Sequence, residues 1–183
     1  MDKMDVLSKW WADPEVTIIP AGQTNQTIEW LEQQTPDTWH QIVTTWNWDA
    51  GYEVLTWILA QKSCDKGTAA HIFLVEGICQ WLWNVVENTS DFDDSSNVCR
   101  IVLNNWHRYH SAELKPEFND RPSQLIEALD EISNVHPLSG TPFKEIMAYE
   151  GTREPSSKYA SDDGKIVIAL DHWMEAKGIE ITS

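Results

Sequence analysis

Apolar positions recur along the chain at the spacing of helices. Between residues 36 and 46, Trp39, Ile42, Val43 and Trp46 fall at i, i+3, i+4 and i+7, so one face of a helix there is apolar. Thr35-Pro36 supplies its start: a hydroxyl that can accept a first-turn amide, then a proline whose missing N–H costs nothing at that position. Asn47-Trp48-Asp49-Ala50-Gly51 breaks the period. Tyr52, Leu55 and Leu59, with Ile58 beside them, mark a second helix near residues 52–61. The turn Ser63-Cys64-Asp65-Lys66-Gly67 ends it, and an apolar helix follows from Thr68 towards Val86.

A polar acidic loop over residues 88–97 leads to a helix near 96–110, with Val98, Ile101, Val102, Trp106 and Tyr109 on one side. Asp120 can cap a helix striped with Leu125, Leu129 and Ile132. Thr141-Pro142 is another start and Gly151 a stop. Residues 152–164 are polar and lack an apolar period, which suits a linker. A last helix is expected over 162–177, with Ile166, Leu170, Trp173 and Met174 inward, although 165–170 also suits a strand. Short connections between amphipathic helices predict an all-α fold, a single layered antiparallel helical domain of about seven to eight helices spanning residues 1–183.

Charge narrows the function classes. Lys and Arg number 13 against 29 Asp and Glu, a formal net charge of −16. Phosphate backbones and anionic membranes both select basic surfaces, so neither is an expected ligand. A basic protein partner fits better. From Trp10 to Gln61 there is no Lys or Arg, while Asp13, Glu15, Glu29, Glu32, Asp37, Asp49 and Glu53 are present. A solvated acidic face and a recruiting surface both fit that stretch. Glu29, Glu32 and Asp37 within it, and Asp91, Asp93 and Asp94 in the acidic loop, are the candidate partner-binding residues.

The three cysteines, Cys64, Cys79 and Cys99, are odd in number and form no CxxC, so a reducing compartment is expected. The N-terminal residues lack a signal-peptide pattern. The run from Thr68 to Val86 is nearly membrane-length but carries Glu76 near its middle, which marks a core helix. The 11 tryptophans imply an aromatic-heavy core or an aromatic interaction surface.

Two blocks stand out: Trp46-Asn47-Trp48-Asp49-Ala50-Gly51-Tyr52-Glu53 with Trp57-Ile58, and Cys64-Asp65-Lys66-Gly67-Thr68-Ala69 with Ile72-Phe73. As residues, they read as two helix-start devices and a tryptophan cluster. Asn47 and Asp49 suit a turn and a cap, Gly51 relaxes the backbone, Asp65 caps the next helix and Thr68 adds a hydroxyl. Trp46, Trp48 and Trp57 can staple three helices together. Over roughly the central third of the chain, these blocks resemble the bacterial domain of unknown function 4274 family, whose members show a similar W/YNWDxG…WI…CDxGTA…IF pattern. The resemblance implies an all-helical bacterial domain of the cytoplasm and carries over no activity.

Three chemical readings compete with the structural one. Asp49 and Glu53, with Asp65 and His71, offer a mixed oxygen and nitrogen ligand set for a metal-dependent enzyme, but match no metal-ligand spacing. Cys64 could be a nucleophile near His71, yet the adjacent Asp65 would disfavour the thiolate. His107 and His110 are three apart, less persuasive for a metal than an i,i+4 pair with a third ligand. No cofactor is expected. The functional expectation is an immunity protein that occludes a cognate toxin's active site; a metal-dependent enzyme and a structural adaptor are the alternatives.

Overall fold

The computed structural model describes residues 26–46, 51–77, 94–116, 141–156 and 176–177. These residues are mostly helical, and no strand occurs among them. Six α-helices are present: α1 (Gln26–Leu31), α2 (Pro36–Thr44), α3 (Glu53–Ala60), α4 (Lys66–Ile72), α5 (Asp94–Asn105) and α6 (Phe143–Met147). A π-helical turn, Phe73–Gly77, continues α4, and a 3₁₀ turn, Trp106–Arg108, closes α5. The helices expected around Leu125 and Leu170 lie outside the described residues.

Two of the anticipated start signals act as side-chain caps. Thr35 caps α2 with its side chain on the amide of Thr38, and Pro36 opens the helix. Asp65 caps α4 by accepting from Gly67 N. The start of α3 differs from expectation. Its N-cap is Tyr52, with no side-chain capping bond, and Gly51 before it takes a φ of 88°. Asn47, Trp48 and Asp49 lie outside the described residues. Thr141-Pro142 also starts its helix differently: Pro142 is the N-cap of α6, again without a side-chain bond. The helix ends at Met147, and Gly151 serves beyond it as a left-handed residue of φ 62°.

The core assembles around α4, which packs on α2 and α5 and feeds the π-helical turn beside α5. Ala69 and Ala70 are fully buried, and their small side chains let neighbouring helices approach closely. Val54, Leu55, Ile58 and Leu59 of α3 meet α5, whose expected stripe of Val98, Ile101 and Val102 is buried. Trp39 and Trp57 join α2 to α3 edge to face, their centroids 5.4 Å apart, and the Trp39 indole donates to Leu31 O at 2.8 Å. Trp46 Nε1 donates to Gly51 O across the break between α2 and α3. Among the described residues, then, Trp39, Trp46 and Trp57 tie α1, α2 and α3 together.

Cys64 and Cys99 are buried, and burial followed by the charge of Asp65 pushes the Cys64 thiol well above its ordinary pKa, which suits a structural role. No helix among the described residues is long and apolar enough to cross a membrane.

Candidate functional site

The chemistry-bearing residues of the second block converge on the first turn of α4. Asp65 is buried, and its carboxylate accepts three backbone N–H groups: Gly67 N at 2.7 Å, Leu114 N at 3.2 Å and Ala112 N at 2.5 Å. A carboxylate has roughly four acceptor positions, so most are committed to the chain's own backbone. The flanking main chain adds two bonds, Lys66 N to His110 O and His110 N to Cys64 O, each 2.8 Å. One short helix start therefore grips an extended segment, residues 110–116, far along the sequence.

His40, on the buried face of α2, holds the same segment from the other side. Its Nε2 lies 2.9 Å from Lys115 O and its Nδ1 lies 3.0 Å from Thr68 Oγ1. A carbonyl oxygen only accepts, so Nε2 carries the hydrogen and neutral His40 accepts from the Thr68 hydroxyl at Nδ1. Burial holds His40 below its ordinary pKa against the opposing backbone bond and the charges of Asp65 and Asp37. The His71 ring of α4 stands edge-on to it, centroids 6.3 Å apart.

Asp37 secures a third piece of chain. Arg153 binds it through two guanidinium nitrogens, Nη1 to Oδ2 at 2.6 Å and Nη2 to Oδ1 at 2.9 Å, and Ser156 N donates to Oδ2. This two-point pairing is the strong form of an ion pair. It holds the Asp37 carboxyl below its ordinary range despite the opposing effect of burial. Arg153 also donates through Nε to Ala112 O at 3.1 Å. Residues 152–156, the first part of the expected linker, are thus tied down on α2 and on the 110–116 segment.

Close packing completes the arrangement. A Cβ on Gly67 would stand 2.6 Å from the carbonyl carbon of Leu114, and a Cβ on Gly151 would meet the same atom at 2.6 Å. The Leu114 backbone is sandwiched between two glycines. Its neighbour Glu113 carries a φ of 63°, a left-handed conformation that a side chain rarely adopts.

Beside this junction, Trp106 packs edge to face on Tyr109 and Tyr149, with centroids 6.4 and 5.7 Å away, and Lys66 Nζ lies 5.0 Å over its ring. Burial, then Asp65 and Glu113, pushes the Tyr149 phenol up to about 12. The buried Tyr109 hydroxyl has no hydrogen-bond partner among the described residues. An unsatisfied buried hydroxyl costs free energy, so Tyr109→Phe is expected to leave stability unchanged or raise it by about 1 kcal/mol. Urea unfolding checks this; a loss above about 1 kcal/mol would show that the hydroxyl is bonded.

The remaining expected residues separate. Glu29 is half-buried and Glu32 exposed at the end of α1, and neither carboxylate pairs among the described residues. Asp37, expected to face a partner, instead holds Arg153. Asp91 and Asp93 lie outside the described residues; Asp94 begins α5. Glu53 is exposed, and the described residues contain no group of three His, Cys, Asp or Glu able to hold a metal. His107 and His110 are exposed on the 3₁₀ turn and just beyond it. His40, Leu114 and Arg153 carry no local signal in the sequence, and Gly151 reads there only as a helix stop, because their roles depend on contacts with distant segments.

No curated protein and no solved structure matches the chain. Asp37, His40, Asp65, Gly67 and Thr68 all fall in residues 34–76, and that segment matches the model of the family described as Domain of unknown function (DUF4274).

Proposed function

We propose that this chain is a protein-binding protein of the cytoplasm, most concretely an immunity protein that neutralises a cognate bacterial toxin by occluding its active site. In this reading it is one layered antiparallel helical domain that presents an acidic face to a basic partner. The observation that supports it is a division among the carboxylates. Asp65 and Asp37 turn inward onto backbone amides and Arg153, while Glu29 and Glu32 remain unpaired among the described residues, within a stretch that has no Lys or Arg. Unneutralised carboxylates on a chain of net charge −16 accelerate encounter with a cationic surface.

The test is co-expression with the product of the adjacent gene. The expected result is rescue of growth and co-purification. Charge reversal of Glu29 and Glu32 together should slow association about tenfold at low ionic strength and less in high salt. A chain that neither protects cells nor binds that product, and instead forms a stable homo-oligomer, would favour a structural role.

A further inference from the structure

The segments 110–116 and 151–156 are bonded to one another as closely as to the helices beneath them. Lys115 N donates to Arg153 O at 3.0 Å, and Thr152 N and Arg153 N donate to Glu113 O at 2.8 and 2.9 Å. Side chains add Thr152 Oγ1 to Glu113 at 2.6 Å, Arg153 Nε to Ala112 O and Lys115 to Glu154 at 2.7 Å. Their attachment to α2 and α4 is mainly polar and runs through Asp65, His40, Asp37 and the main chain at residues 64 and 66, with Leu114 and Pro116 buried beside it. The left-handed backbone at Glu113 is strain that release would relieve.

We propose that residues 110–116 and 151–156 form one latch that lifts from α2 and α4 as a unit, with protonation of His40 favouring its release as the pH falls below neutral. Shut, the latch leaves His40 buried and bonded in its neutral form to Lys115 O and Thr68. Asp37 on α2 and Asp65 at the start of α4 favour a proton there, Arg153 on the latch opposes it, and burial opposes it most. The neighbouring ring on α4 is His71. Open, His40 meets water and regains its ordinary pKa of 6.5. The open state therefore binds the proton more readily, and opening gains up to about tenfold per pH unit below 6.5, until the shut-state pKa is reached. Release would bare the Asp65 carboxylate, His40 and the Thr68 hydroxyl.

Amide hydrogen exchange on the full chain, corrected for intrinsic rates, tests this. The amides whose bonds cross from the latch to Cys64, Asp65 and Asp37, those of His110, Ala112, Leu114 and Ser156, are the reporters, with α3 and α5 as references. Between pH 7.5 and 5.5 the reporters should lose protection together, by up to about tenfold, while the references hold. His40→Gln, which retains a donor for Lys115 O, should abolish that pH dependence. Asp37→Asn should deprotect both segments at neutral pH, and it decides the matter if the His40 variant does not fold. Loss confined to 151–156 in Asp37→Asn, equal loss in the references, or a pH response surviving in His40→Gln would overturn the latch.

Discussion

Asp65→Asn is expected to lower the stability of this protein by about 3 kcal/mol, although it changes one atom. The carboxylate accepts from Gly67 N and Leu114 N through Oδ1 and from Ala112 N through Oδ2. An amide can keep one oxygen as acceptor, but its NH₂ must then face a backbone N–H. Whichever way it turns, a buried donor loses its partner, and each such loss costs about 1–3 kcal/mol. The bond to Gly67 also caps α4, and loss of a cap alone costs about 1 kcal/mol. Thermal and urea unfolding check the size of the effect. Glu32→Gln, a similar change at an exposed carboxylate, should stay within about 0.5 kcal/mol. Equal, small losses in both variants would mean that the Asp65 carboxylate does not organise the junction.

Gly67→Ala should be at least as damaging, by a different route. Its φ is not in the left-handed region, so the backbone itself tolerates a side chain. The added carbon would stand 2.6 Å from the Leu114 carbonyl carbon, closer still to its oxygen, and 2.9 Å from the Leu114 Cβ. Two of these are backbone atoms, and they cannot rotate away as a side chain would. The segment 110–116 must shift, taking with it the bonds from Asp65 to Ala112 and Leu114. Overpacking of this kind costs about 3 kcal/mol, equivalent to a fall in Tm of roughly 10 °C for a chain of this size. An unchanged Tm would show that the segment does not lie against the first turn of α4. Exchange at Leu114 N, bonded to Asp65, should rise in both variants.

Thr35, Pro36 and Asp65 were legible as helix starts because capping is local: the donor and acceptor lie within three residues. Trp39, Ile42, Val43, Val98, Ile101 and Val102 were legible as core because helical period exposes the apolar face before any partner is known. Gly67 was visible as part of a turn, yet its strictest requirement is the passage of Leu114, 47 positions on (114 − 67). Asp37 sat in an acidic run and read as a surface charge, while Arg153, 116 positions away, makes it an internal clamp. His40 has no local signal in α2; its role comes from Thr68 and Lys115 O, which close on it from distant segments.

From the sequence alone came the helical class, the caps of α2 and α4, the apolar faces and the excess of negative charge, since each depends on neighbouring residues or on composition. The tertiary structure decided which polar residues face inward. An aspartate's role depends on what stands opposite it, and opposite Asp65 and Asp37 stand segments that meet them only when the chain folds.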